Sequence, residues 1–470
     1  MTPESITNWF RCTPGRRVLR DNAAEWLLWA LFSARSTEVH REWEEELDSY
    51  ISVMGDYVGY PIGRGINFDM QCLRPTMDPV HMVHRPFIWY MVRLSLHQTP
   101  FYVLTIFSQI VCLVDTLVST SFFFQGFTHH NTRKWFHAFP PRPLLALFSR
   151  RSSDTVTNIP YWYRPHRSST KLPILFIHGI GIGLYPYFAF LRELAAQDRD
   201  VGILAIEILP ISMHITAPPL ERDAMCAAIT RILDAHGLHR VVLAGHSYGT
   251  VIAAHLLHRQ QGTAINGTTQ DENSTTSLVG DTTIPTNDND PTIAAVVLID
   301  PIPFLLHHPA VAYNFIYRYP RTANEWQLWY FASRDADISR ALARHFFWFQ
   351  NVLFREDVLG AGRPPVAVSL AGRDQIVDAR AVWGYLTGSE EDPLQVSSSS
   401  SSRRHRSWAH DGLEVHYFPE LDHATVFDAH EDRAALLEVF SRFVRQDWTS
   451  SGGHRKNDST ERTPLCVNSE

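Results

Sequence analysis

The stretch Val241-Val242-Leu243-Ala244-Gly245-His246-Ser247-Tyr248-Gly249-Thr250-Val251-Ile252-Ala253-Ala254 constrains the fold more than any other. Val241 to Ala244 read as a buried strand, and the alanine-rich run from Tyr248 reads as a helix. The turn between them carries G-x-S-x-G as Gly245-His246-Ser247-Tyr248-Gly249. Five residues alone recur by chance; the strand–turn–helix setting makes this a nucleophile elbow. The serine needs a strained backbone, and side chains two places before or after it would collide with neighbouring main chain, hence Gly245 and Gly249. The strain lifts the Ser247 hydroxyl above the sheet edge. The helix N-terminus behind it offers unpaired N–H groups and partial positive charge.

Strand and helix patterns alternate around this turn. Leu172 to His178, Val201 to Leu209, Ile293 to Ile299, Pro365 to Leu370 and Leu413 to Phe418 read as strands, with Ile159 to Tyr163 as an early one. Leu184 to Gln197, Glu221 to His236, Tyr248 to Gln260 and Arg433 to Val444 read as helices, the second closed by Gly237. The alternation predicts an α/β domain over 151–450, a mostly parallel sheet with helices on both faces. The aromatic-rich block 303–360 is expected to be a helical cap over the sheet edge. The polar segments 263–292 and 388–411 are expected to be disordered insertions, and 451–470 a disordered tail.

Residues 1–150 read differently. Asn22 to Phe32 and Glu38 to Tyr57 have helical spacing. Phe101 to Phe124 is the most apolar stretch, as long as the about 20 residues that cross a bilayer. Gln109 and Asp115 inside it disfavour a clean span, so membrane association is expected over spanning, with a buried core helix as the alternative. The formal net charge of −7 argues against a nucleic-acid partner, which selects a basic face. The five cysteines are scattered without a C-x-x-C pair, which argues against disulfides or zinc and for a reducing compartment. The opening Met-Thr-Pro-Glu-Ser lacks a secretory pattern, so an intracellular setting is expected.

A serine hydroxyl is a weak nucleophile at neutral pH and needs a base, which in turn needs an orienting acid. In an elbow architecture these follow in the order Ser, acid, His. His423 lies in the loop after the last strand and is the candidate base. Asp374 follows the penultimate strand and is the preferred acid; Asp300, one strand earlier, competes as substitute acid or loop anchor. The oxyanion donors should be the Tyr248 N–H and one from the glycine loop His178-Gly179-Ile180-Gly181, with Ile180 preferred and Gly179 or Gly181 as alternatives.

The ordered motifs H-G-x-G, G-H-S-Y-G, G-R-D and L-D-H resemble the α/β-hydrolase fold family, and its serine hydrolases in particular, from about Tyr161 to Val444. The pieces HGIGIGLYPY, HFFWFQ and FPELDHATVFD are similar to a group of fungal α/β-hydrolases. The resemblance implies Ser247 as nucleophile, Asp374 as acid and His423 as base, supported by His178, Gly179, Gly181, Gly245, His246, Gly249 and Asp300. It implies cleavage of a small-molecule or lipid-like carboxylic ester, with no metal or cofactor. Thioester or amide cleavage, and an idle membrane-attached binding protein, are the alternatives. Serine at 247 argues against the family's epoxide hydrolases and dehalogenases, which carry aspartate there.

Overall fold

A computed structural model describes residues 6–11, 17–35, 40–84, 119, 121–131, 138, 142, 145, 148–153, 159–268, 291–389, 393 and 405–447. Near the N-terminus β1 (Phe10–Arg11) precedes two helices, α1 (Arg20–Phe32) and α2 (Arg41–Val58), and pairs antiparallel with β2 (Gln71–Cys72). Gly59 ends α2 at φ 78°, returning its N–H to the Gly55 carbonyl at 3.0 Å, the glycine C-cap that left-handed backbone favours. Trp9, Phe10, Leu28 and Trp29 are buried between these pieces and form a core of their own.

The main sheet is built from β3 (Thr128–Asn131), β4 (Arg150–Arg151), β5 (Tyr161–Arg164), β6 (Ile174–Ile177), β7 (Ile203–Ile206), β8 (Arg240–His246), β9 (Thr292–Ile299), β10 (Val366–Ala371), β11 (Arg406–His410) and β12 (Leu413–Phe418). Their order is β11-β12-β10-β9-β8-β6-β7-β5-β3-β4. The central six, β12 to β7, pair in parallel, as do β3 and β4; the remaining pairs are antiparallel. A parallel sheet is covered on both faces, so its strands read as unbroken apolar runs. β6 is Ile-Leu-Phe-Ile, all buried. Ile174 and Phe176 join one core with α3 (Phe188–Gln197), while Leu175 and Ile177 join another with α4 (Arg222–Ala235) and α5 (Tyr248–Thr268). The period of two along a strand makes this division.

Between β9 and β10 lies the helical insertion. It runs through Ala310–Ala312, a π-turn at Tyr313–Tyr317, α6 (Ala323–Leu328) and α7 (Ala336–His345). After β10 come α8 (Ala379–Thr387) and, closing the fold, α9 (His430–Arg445). Asp335 caps α7, its carboxylate accepting from the Asp337 and Ile338 N–H groups.

Several sequence expectations shift. The sheet does not begin near residue 151: β3 and β4 extend it from the N-terminal side. Neither Thr-His-His-Asn nor Arg-Arg shows the apolar alternation of a strand. Buried β3 is held by a polar network in which His129 Nε2 meets Glu207 Oε2 at 3.2 Å, Arg142 forks onto Glu207 at 2.8 and 3.1 Å and the Trp162 indole donates to it at 3.0 Å. Part of the 388–411 insertion is ordered as β11, an exposed antiparallel edge strand. The helix after the elbow runs on to Thr268, and 269–290 lie outside the described residues, as do 394–404 and the tail. Most of Phe101 to Phe124 lies outside them too. Of its end, Phe122 is buried against Trp162, the rings 5.1 Å apart. Among the described residues no helix is long and apolar enough to cross a membrane.

Candidate active site

Ser247 sits between β8 and α5 at φ 51°, a left-handed conformation rare for a residue with a side chain. The strain is held from several sides. The Ser247 N–H donates to the Ile299 carbonyl of β9 at 3.0 Å, and the Thr250 hydroxyl returns to the Ser247 carbonyl at 2.5 Å. A Cβ at Gly249 would run into the carbonyl of Ile177, and one at Gly179 would meet the Ser247 Cβ at 2.8 Å. Gly249 thus lets α5 approach the end of β6, and Gly179 lets its loop approach the serine.

His423 lies in the loop after β12. Its backbone N–H donates to Asp422 Oδ1 at 2.7 Å, and Ala424 follows at φ 69°. Its Nδ1 faces Asp374 Oδ2 at 2.7 Å, and its Nε2 faces Ser247 Oγ at 2.8 Å. Asp374 is fixed by its other oxygen, which accepts from the Ile376 and Val377 N–H groups at 2.7 and 2.9 Å. Burial pulls the His423 imidazole down, but the neighbouring Asp374 carboxylate outweighs it, and the ring stands raised to about 9. Asp374, His423 and Ser247 thus stand in one line of side-chain contacts.

Asp300 reaches the same region by another route. At φ 45° it closes β9, and its carboxylate accepts from Ala371 N–H at 3.1 Å and Ala424 N–H at 2.8 Å. It therefore holds the backbone beside His423, and Asp374 is the carboxylate that meets Nδ1. Ligating atoms of Asp300, Asp374 and His423 come within 4.8 Å of one another, as a metal site would require. Each is already engaged in the hydrogen bonds just described, so the donor set fits proton transfer better than cation binding.

The glycine loop sorts its own donors. Gly179 N–H goes to the Tyr187 hydroxyl at 2.9 Å, and Gly181 N–H goes to the Ile211 carbonyl at 3.1 Å. Among the described residues the Ile180 and Tyr248 N–H groups have no protein acceptor. His178 braces the loop: its Nδ1 meets the Gly179 carbonyl at 2.7 Å while Nε2 accepts from Ile208 N–H at 2.9 Å. Burial keeps that imidazole below its ordinary range, consistent with a neutral ring. His246 points away from Ser247; its Nδ1 accepts from the Tyr187 hydroxyl at 2.7 Å, and its Nε2 lies 3.6 Å from Asp300 Oδ2.

Sequence reasoning missed Tyr187 and Asp422. Tyr187 ties the glycine loop to the elbow, and Asp422 also accepts from Gln375 N–H at 3.1 Å, joining the loops that carry Asp374 and His423. The tyrosine in LYPY directly after the glycine loop was the available signal for the first. Beside Ser247 opens a pocket lined almost wholly by apolar side chains, including Ile180, Phe315, Phe346 and, unexpectedly, Trp9 and Trp29.

The sequence profile described as the Alpha/beta hydrolase family matches residues 174–438. No curated protein sequence matches the chain. Among solved structures, the chain is similar to a membrane phospholipase A, a bacterial virulence factor, at 13% identity and TM-score 0.41, covering 72% of this chain and 94% of that one. It is similar to the carboxylesterase CesB from Bacillus subtilis at 12% identity and TM-score 0.39, covering 71% and 98%. A thermophilic esterase from Thermogutta terrifontis matches at 13% identity and TM-score 0.38, covering 62% and 97%.

Proposed function

The chain belongs to the alpha/beta hydrolase family, and from that premise we propose that it is a serine hydrolase cleaving carboxylic esters through an acyl-enzyme on Ser247. The observation that carries the reading is the contact chain Asp374 Oδ2–His423 Nδ1 at 2.7 Å and His423 Nε2–Ser247 Oγ at 2.8 Å. His423 takes the hydroxyl proton as Ser247 Oγ attacks the ester carbonyl carbon. Asp374 holds the ring in place and stabilises the imidazolium. The carbonyl oxygen, now an oxyanion, takes the Ile180 and Tyr248 N–H groups. As the tetrahedral intermediate collapses, the alkoxy group leaves as the alcohol with the proton from His423. Water then attacks the acyl carbon with His423 again as base, and the acid departs with Ser247 regenerated.

The test is hydrolysis of p-nitrophenyl esters by wild type and by Ser247→Ala. Turnover in wild type that falls on the order of 10⁶-fold in the variant is expected, the scale seen when a serine nucleophile is removed. Equal turnover in the two, with both proteins folded, would overturn the reading.

A further inference from the structure

We propose that the N-terminal layer is part of the substrate site: Trp9 and Trp29 wall the pocket that opens on Ser247, and they limit it to a short acyl chain. The proposal rests on the reading of Ser247 as the acylated nucleophile.

Three parts of the chain build this pocket. Ser247, Ile180 and Ile302 come from the sheet edge; Leu306, Phe315 and Phe346 come from the helical insertion; Trp9, Trp29 and Pro75 come from the N-terminal layer. The two indoles are fixed. Both are 2% exposed, and their rings lie 5.3 Å apart. Trp9 Nε1 donates to the His307 carbonyl at 2.9 Å and Trp29 Nε1 to Thr76 Oγ1 at 2.8 Å. With the N–H edges engaged, the rings offer carbon to the cavity.

The layer is docked, so the wall they form is part of the folded enzyme. The Tyr317 hydroxyl donates to Asp78 Oδ2 at 2.6 Å. Arg344 donates to the Thr76 and Asp78 carbonyls, each at 3.1 Å, and Val83 N–H reaches the Arg334 carbonyl at 2.9 Å. These bonds join residues 76–83 to the insertion that forms the pocket's middle.

The lining decides the ligand's chemistry. Among the described residues no charged side chain faces the cavity, so it holds hydrocarbon rather than a polar head. Its free volume is ≈ 50 Å³, which at 10–15 Å³ per water-sized position leaves room for roughly four such positions. That is room for a short acyl chain and not for a long one. The occupant is the acyl half. That half stays bonded to Ser247 while the alcohol leaves and water enters, so an apolar pocket beside the nucleophile can hold it throughout.

The experiment uses the full-length protein and p-nitrophenyl esters of straight-chain acids from acetate to palmitate. The leaving group is constant, so the profile reads the acyl site alone. Wild type should favour the short members. Trp9→Leu and Trp29→Leu should each move the optimum to longer chains, raising kcat/KM on the first rejected ester at least about tenfold, the scale of one methylene in an apolar pocket. Ala312 lines the cavity and packs on the N-terminal core, so Ala312→Phe should move the optimum the other way. Thermal melts accompany each variant; where a tryptophan variant fails to fold, Ala312→Phe and the wild-type profile decide. A wild type that prefers long chains, or folded variants with its unaltered profile, overturns the proposal while Ser247-dependent turnover persists. Absence of Ser247-dependent turnover on every ester instead removes the reading of Ser247, and this proposal with it.

Discussion

The Asp300 carboxylate accepts the Ala424 N–H at 2.8 Å, one residue past His423, while Asp374 takes the imidazole itself. Two aspartates at the ends of β9 and β10 thus serve one histidine differently, one through backbone and one through the ring. Their substitutions should separate. Asp374→Asn leaves the imidazole without its charged partner and should lower kcat on the order of 10⁴-fold, the scale for losing such an acid. Asp300→Asn turns one of its two acceptors into a donor facing an N–H. It should cost about 1–3 kcal/mol of stability and loosen the loop, with a smaller loss of kcat, about ten- to a hundredfold. Steady-state kinetics and urea unfolding on both variants check the order. A reversed order of kcat losses would transfer the acid's role to Asp300.

The pH profile follows from the raised imidazole. The base must be neutral to accept the serine proton, and Asp374 holds the His423 proton up to about 9 against an ordinary 6.5. kcat/KM should therefore climb with pH through this range, and Asp374→Asn should shift the inflection downward. Stability moves oppositely. A proton held more tightly in the folded state stabilises the fold fully below 6.5, and the contribution fades as pH rises through about 9. A wild-type inflection at or below 6.5 would contradict the assignment.

Gly179 touches the elbow from the side of the oxyanion loop. A Cβ there would lie 2.8 Å from both the Ser247 Cβ and His246 Nδ1. Gly179→Ala should displace the loop and reduce kcat/KM by about 10²-fold, the scale of an ångström's misplacement. Unchanged kinetics in a folded variant would show that the Ile180 donor needs no such close approach.

The polar edge of the sheet has its own signature. Burial pushes the Glu207 carboxyl up, but Arg142 and His129 outweigh it and hold it well below its ordinary 4.5. Its contribution is present above that value and is lost as pH falls below it. Glu207→Gln leaves the buried Arg142 guanidinium facing a neutral amide and should cost about 3–5 kcal/mol at neutral pH. Urea midpoints report it; a loss under 1 kcal/mol would mean that the network is dispensable.

Legibility in the sequence followed how locally each feature is encoded. The elbow was readable because apolar strand, glycines and helix are contiguous from Val241 to Ala254. The central strands were readable because burial on both faces demands apolar runs. β3, with its two histidines, was not, because its burial depends on Glu207, distant in sequence. β11 was hidden because an exposed edge strand needs no apolar alternation. The choice between Asp374 and Asp300 stayed open because both close a strand; only the side-chain directions separate them. Trp29 falls in the stretch with helical spacing and Trp9 before it, and nothing local marks either as the wall of a pocket formed with residues hundreds of positions away.

The most direct test is where a covalent probe lands. Wild-type protein treated with a fluorophosphonate and mapped by peptide mass spectrometry should carry one phosphonyl adduct, on Ser247, and the adduct should be lost or much slowed in His423→Ala. An adduct at any other residue, or none on folded wild type, would contradict the account.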